Sequence, residues 1–557
     1  NRQDRPVMEL QLPERKQPAR NSFNTNPEAI RIWVDDLPLL NTGRTRQLLN
    51  DALDQINTLD IPADNRHMAL ELMSTSVMCV TDALKKNFLG KPMPLQEADS
   101  SAATQALDII NRMATGYRIL ADDLGRKLNQ ENQLAIAIHR ALRYLSELLL
   151  IHYQIYIPYP DGLWKSIHVL YALAEEYGIT THPVTDPTAP VSEESTIATI
   201  YKQILLLSLA CPYRMRQKEI NYVYSALLDW ARFCRLVPAI DTRTNGLFTL
   251  NLQSDSPPVY RALAINMETD KHTRILDTSA ATEQLRDVLS AENGPAVNHT
   301  GIGNTETLQQ LMLAWGAMPK RKFPRHHHHS PVRLLTGINA IHALIAGPTG
   351  QVHEDDDSIT DHHYLPDPTF DSSTSFTTRA DMADDLLRGA FHADTTQGSH
   401  IESWHMTDTS AGGYSLLWDN ITASNARVGE LAAIVQQKEP AESDWQLGVI
   451  RWLKFTGERG LELGVQLLAP AGEAIWAFAC NDDYHLDPRA DKRMQGILLP
   501  GIEALGQQAS LLLPSLPFRP GCNCILERNG RRENIILTRQ LENTGCFGQF
   551  HFTPAGR

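Results

Sequence analysis

The sequence predicts a multidomain α+β protein: an N-terminal α-helical bundle, then a small antiparallel β-barrel, then a C-terminal β extension. Three observations predict it. At 557 residues the chain is too long for one hydrophobic core and must divide into domains. From about residue 44 to 238, apolar residues recur with the helical period. From residue 331 onward that period gives way to short β-rich runs broken by Gly, Asn, Asp and Glu.

Residues 1–24 are polar and mixed in charge, and read as a flexible arm without the apolar core of a signal peptide. The helical bundle is expected over 25–240, with apolar stripes around 44–57, 65–88, 101–128, 131–156, 161–178, 195–210 and 214–237. Short polar or proline-containing breaks between them make consecutive helices antiparallel neighbours. Asp161-Gly162 opens one helix and Gly178 closes it. The most apolar long stretch, LAIAIHRALRYLSELLLIHYQIYI at 134–157, carries His139, Arg140, Arg143, Glu147 and His152. Those charges make it a buried bundle helix and exclude membrane insertion. In WKSIHVLYALAEEYGI, Trp164 and Tyr171 share one face as core aromatics, with no repeat period behind them.

Residues 241–318 read as a small α/β connector, with strands in LFTLNL, VYRALAI and TRILDT and helices at 280–291 and 305–316. The barrel is expected over 319–470, from VRLLTGINAIHALI, ESWHMTDTSAGGYSLLW, RVGELAAIV, WQLGVIRWLKF and LELGVQLLA. An acidic, Ser/Thr-rich stretch at about 347–400 interrupts it and reads as a mobile insertion. Over 471–557, SLLLP, NCILER, ENIILTR and FGQFHF either extend the barrel or form a second β module.

Composition narrows the function. A net charge of −14 argues against a DNA, RNA or anionic-membrane binder, so an anionic ligand must find a local basic patch. Seven scattered cysteines, of which only Cys522 and Cys524 are close, lack metal or redox spacing and read as free thiols in a reducing cytoplasm. No Walker lysine motif, G-x-S-x-G or dinucleotide fingerprint is present. The chain is expected not to be an enzyme, with no catalytic residues and no cofactor.

The informative stretch is RKFPRHHHHSPV at 321–332. Arg321 and Arg325 stand three residues apart directly before a strand, and Asp408-Thr-Ser410-Ala-Gly-Gly413 lies in the middle of a hairpin. A guanidinium offers a planar fork of donors for a phosphate or the O6/N7 edge of guanine, and can lie flat on a purine. Asp408 can accept from guanine N1 and N2, Ser410 offers a small hydroxyl, and Gly413 permits close backbone approach. Alone, Asp408-Thr-Ser410 would also suit a side-chain-capped turn.

R-x-x-x-R followed by D-x-S-x-x-G, with the strands RVGELAAI, WQLGVIRW and LELGVQLL downstream, resembles the PilZ domain. The likeness covers about residues 319–470 and makes the barrel PilZ-like. It implies a receptor for the bacterial messenger cyclic di-GMP, bound by Arg321, Arg325, Asp408, Ser410 and Gly413. Lys320, Lys322, His326, Gly412 and Arg451 are secondary candidates. The GGDEF-type and EAL-type signatures for making or degrading the messenger are missing. Lys320, just before the arginines, leaves one or two ligand molecules open. The chain departs from the family in spacing: the insertion holds the two motifs more than eighty residues apart. Loop-closure cost grows only logarithmically with length, so the site is expected to survive. The acidic run Glu354–Asp357 within the insertion is expected to compete for the arginines when ligand is absent.

His326 to His329 could bind a transition metal with His353, His362 and His363, but consecutive strand residues point in alternate directions and make a closed site awkward. The expectation is no metal, with the histidines extending the polar arm. The resemblance implies an output in motility, type IV pili, attachment or biofilm, through a protein partner on the helical bundle. That partner would also set any recruitment to the cell pole or envelope; a homodimer through the helices is compatible but not demanded. The rival reading is a ligand-independent PilZ-fold adaptor.

Overall fold

In the computed structural model, the described residues are 12–127, 129–186, 194–239, 246–264, 270–290, 305–316, 324–347, 401–436, 445–480, 493–501 and 507–555. The chain divides into two compact units, one of residues 1–322 with 419–424 and 452–462, the other of 323–418, 425–451 and 463–557.

The first unit is helical: α1 (Pro27–Asp35), α2 (Thr42–Thr58), α3 (Ala63–Phe88), α4 (Glu97–Gly125), α5 (Glu131–Gln154), α6 (Leu163–Tyr177), α7 (Ile197–Leu209) and α8 (Gln217–Trp230). A two-residue ribbon, β1 (Val184–Thr185) with β2 (Glu194–Ser195), precedes α7. Gly162 and Gly178 bracket α6 with φ of +83° and +68°, left-handed values that favour glycine. Several polar residues of α5, among them His139 and Arg140, face inward to partners. Arg140 donates to Glu71 at 3.2 Å and to the Thr185 carbonyl at 2.8 Å, which ties α5 to α3 and the ribbon. No helix among the described residues is long and apolar enough to cross a membrane.

The described part of the arm read as flexible over 1–24 makes contacts with the bundle, and one helix reading is corrected. Lys16 exchanges backbone hydrogen bonds with Thr58 and Asp60, and Arg15 donates to Asp123 at 2.5 Å. The stripe read as helix over 214–237 ends at Trp230, and β3 (Arg235–Pro238) follows.

β3 joins β4 (Phe248–Asn251), β5 (Val259–Tyr260) and β6 (Thr273–Asp277) in a four-stranded sheet of order β3-β6-β4-β5. Among the described residues α9 (Ser279–Ser290) and α10 (Thr305–Gly316) follow, with Leu285, Leu308, Leu311 and Trp315 fully buried.

The described strands that remain form two closed six-stranded barrels, whose residues outside 452–462 belong to the second unit. The first is built from β7 (His326–Thr336), β8 (Glu402–Ser410), β9 (Gly413–Trp418), β10 (Leu431–Gln436), β11 (Gln446–Thr456) and β12 (Gly460–Ala469). The second is built from β13 (Glu473–Cys480), β14 (Met494–Leu499), β15 (Ser510–Pro514), β16 (Asn523–Arg528), β17 (Arg531–Asn543) and β18 (Phe547–Pro554). Of the two options left open for the C-terminal strands, they form a barrel of their own. Its cyclic neighbour order, β13-β14-β15-β18-β17-β16, repeats that of the first, β7-β8-β9-β12-β11-β10.

VRLLTGINAIHALI, expected to be one β segment, is strand only to Thr336. Gly337, at φ +94°, breaks the ladder, and Ile338–Ala346 forms α11. The period test fails here because a short, continuously apolar run fits a buried strand and a buried helix equally. Buried Ile341 of α11 joins Leu335, Leu431 and Val449 of the first barrel and Ile497, Leu512 and Phe547 of the second in one apolar cluster. Burying those side chains contributes roughly 1.5–3 kcal/mol each. The helix thus cements one barrel to the other.

Candidate ligand-binding site

The pairing of β7 with β8 brings Arg325, the described end of the first motif, to the second motif. His326 faces Thr409 and His327 faces Asp408 in antiparallel register. Carried one step further, that register brings the exposed Arg325 level with Ser410. More than eighty residues of separation in sequence are thereby closed by one ladder. Between His327 and Ser330 the ladder carries an irregularity, with His328 and His329 opposing Thr407. β8 is irregular at the same level against β9, between Met406 and Asp408. Bulges bend a strand and re-aim the side chains beyond it. The histidine run therefore carries the irregularity that separates the Arg325 end of β7 from the rest of the strand.

The acid-hydroxyl-glycine turn is built tightly. Ser410 pairs with Gly413 across a two-residue connection, and the Ser410 hydroxyl donates to the Gly413 carbonyl at 3.2 Å. The Leu467 N–H of β12 donates to the Gly412 carbonyl at 3.0 Å. A Cβ at Gly413 would lie 2.0 Å from the Val465 carbonyl oxygen, so only glycine lets the turn rest on β12. Next to it, the Tyr414 hydroxyl donates to Gln446 Oε1 at 2.5 Å; burial, opposed by this contact, raises its pKa.

Asp408 is not left open. His327 Nδ1 lies 2.8 Å from its Oδ1, with His327 almost wholly exposed. The sequence reading missed His327, although its place two residues after Arg325 on a strand was the available signal. Among the other candidates, His326 is exposed at the same end of β7. Arg451 is engaged elsewhere: it forms a two-pronged ion pair with Glu542 of the second barrel, Nη2 to Oε2 at 2.8 Å, and its Nε donates to Gln466 at 2.8 Å. Lys320, Arg321 and Lys322 lie outside the described residues, as do the acidic run and His353, His362 and His363. Among the described residues no group of three or more His, Cys, Asp or Glu side chains is placed to hold a metal ion. Trp404 and Trp418 are buried in the barrel with ring centroids 5.2 Å apart, and Trp445 lies under the Arg333 guanidinium at 5.5 Å.

Comparison with known proteins gives three family models matching in series. They are the N-terminal domain of the cyclic-di-GMP receptor FimW over residues 28–239, its middle PilZ domain over 247–473, and its C-terminal β-barrel domain over 486–555. The chain belongs to the FimW family of cyclic-di-GMP receptors. The cyclic-di-GMP receptor FimW of Pseudomonas aeruginosa is 27% identical over 581 aligned positions, covering 99% of this chain and 94% of that protein. The FimW middle model spans the sheet strands β4 to β6 as well as the first barrel, and the motif-bearing β7, β8 and β9 all fall inside it.

Proposed function

We propose that this chain binds cyclic di-GMP at the end of the first barrel where β7 begins and the β8–β9 turn lies. The observation that carries the reading is the register His326–Thr409 and His327–Asp408, which sets the arginine approach beside the acid-hydroxyl-glycine turn. Arg325, with Arg321 upstream of it, supplies the cationic forks for phosphate and guanine. Asp408 accepts from the guanine N1 and N2 donors, Ser410 reaches a phosphate or base, and Gly413 keeps the turn free of side chain. Membership of the FimW family and the match to its PilZ model support the same ligand.

In this reading the messenger is sensed and not turned over, and the signal passes to a protein partner serving motility, pili, attachment or biofilm. The helical unit supplies the docking surface, where Ile32, Leu39 and Leu40 expose large apolar side chains around α1.

The test is calorimetry of the full chain with cyclic di-GMP. Saturable binding is expected. Arg325→Ala should weaken it roughly tenfold or more, because a charge-assisted hydrogen bond is worth about 1.5–3 kcal/mol. Arg321→Ala combined with Arg325→Ala should abolish it. No heat from the unmodified protein at micromolar ligand would overturn the reading in favour of a ligand-independent adaptor.

A further inference from the structure

The second barrel holds two thiols within reach of one another. Cys522 and Cys524 flank Asn523 at the entry to β16, and the Cys524 thiol donates to the Cys522 sulfur, Sγ to Sγ, at 3.8 Å. Side chains two apart on a strand share a face. Here that face is the barrel interior, where Cys524 is fully buried beside Ile475, Leu511 and Leu526. Cys522 packs at the margin of the same cluster and is only half-buried. Cys480 lies across the ladder from Asn523, which assigns it to the other face of the sheet. Gly521, at φ +83°, turns the chain immediately before Cys522, whose carbonyl accepts from the Leu537 N–H of β17 at 3.0 Å, so Cys522 stands at the end of the ladder.

The two thiols have unequal surroundings. The hydrogen bond from Cys524, followed by backbone groups of Arg519 and Cys480 and the Arg519 charge, holds Cys522 below the usual thiol range. The same hydrogen bond together with burial pushes Cys524 up. A reactive thiolate backed by a buried second thiol is the arrangement of an attacking and a resolving cysteine.

We propose that Cys522 and Cys524 form a hydroperoxide-reactive dithiol that closes reversibly to an intrachain disulfide. The Cys522 thiolate attacks the terminal oxygen of the hydroperoxide, and the O–O bond breaks. Cys522 keeps that oxygen as a sulfenic acid, while the remaining alkoxide or hydroxide takes up a proton. The Cys524 sulfur then attacks the Cys522 sulfur. The S–O bond breaks, the S–S bond forms, and the departing hydroxide leaves as water with the Cys524 proton. The dithiol loses two electrons and the peroxide gains them, and a thiol reductant reverses the change. Closing to a bonded distance of about 2.05 Å requires the sulfurs to approach by less than the length of one more such bond.

The full chain is treated with equimolar hydrogen peroxide, alkylated and mapped by mass spectrometry. The expected result is loss of the mass of two hydrogens in the peptide carrying Cys522 and Cys524, restored by dithiothreitol. Cys522 should also be alkylated about tenfold faster than exposed Cys79 in the untreated protein. In Cys524→Ser, whose folding is checked by its melting temperature, Cys522 should instead be trapped by dimedone as the sulfenic acid. The unmodified protein decides the matter even if that variant fails to fold. Cys522 and Cys524 still alkylatable after peroxide, or a bridge found instead at Cys480, would overturn the proposal.

Discussion

The imidazole Nδ1 of His327 lies 2.8 Å from Asp408 Oδ1, on the acid assigned to the guanine edge. An incoming guanine must take that contact away from His327. Exposed contacts of this kind contribute at most about 1 kcal/mol. His327→Ala should therefore raise affinity for cyclic di-GMP by up to about fivefold, read by calorimetry at constant salt. Unchanged or weaker binding would show that the histidine does not compete for Asp408.

Gly413→Ala would set a methyl group against the Val465 carbonyl, where the built Cβ lies at 2.0 Å. The clash is with backbone, so the turn must lift from β12 and give up the Leu467–Gly412 hydrogen bond. A loss of about 1–3 kcal/mol is expected, with binding weakened alongside. A melting curve and a titration on the same sample check both. Full stability in the variant would mean the turn does not rest on β12.

Arg451 and Glu542 tie the first barrel to the second. Glu542→Ala leaves a half-buried guanidinium with Gln466 as its remaining side-chain partner and should lower stability by about 1–2 kcal/mol. A double-mutant cycle with Arg451→Ala should show the two losses sharing one interaction. Affinity for the messenger should stay within about twofold, since the pair lies outside the proposed contacts. A large loss of binding in Arg451→Ala alone would restore it as a ligand contact.

His168 and His139 are two of the buried histidines that make the helical unit sensitive to acid. His168 accepts from the Tyr201 hydroxyl at Nδ1, 2.7 Å, and donates from Nε2 to the Ser256 carbonyl, 2.9 Å, so it is neutral. Burial lowers its pKa to about 4, and burial with the neighbouring Arg140 charge lowers that of His139 to about 3. The unfolded chain takes up these protons near pH 6.5, whereas the folded chain resists until far lower. Stability should thus fall as pH drops below 6.5, by roughly 2 kcal/mol per histidine at pH 5, and level off below the folded pKa values. Helical melting midpoints at pH 7 and 5, compared with His168→Gln, check the slope. A variant with the same slope as the parent would exclude His168 as its source.

The sequence carried the helical bundle well, because apolar stripes such as Ile138, Leu142, Leu145 and Leu149 on α5 obey the period over many turns. The proposed binding motif stood out in the sequence because Arg325, Asp408, Ser410 and Gly413 are residue types with few substitutes for the tasks proposed for them. What stayed hidden depended on partners far away in the chain. Arg451 reads as a free surface cation until β17 brings Glu542 to it. His327 reads as one histidine among four until the register selects it. Ile338–Ala346 looks like strand because its apolar neighbours come from both barrels, so no polar face marks it as a helix.

The ladder that joins the motifs also fixes where the long excursion between them is rooted. Leu334 faces Glu402 eight positions along β7 from the His326–Thr409 pair, which is about 26 Å at strand spacing. The described chain ends just after α11 and resumes at β8 on the rim opposite Arg325. That far rim is a port: its cargo can be lengthened, shortened or exchanged over evolution while the messenger's berth keeps its shape.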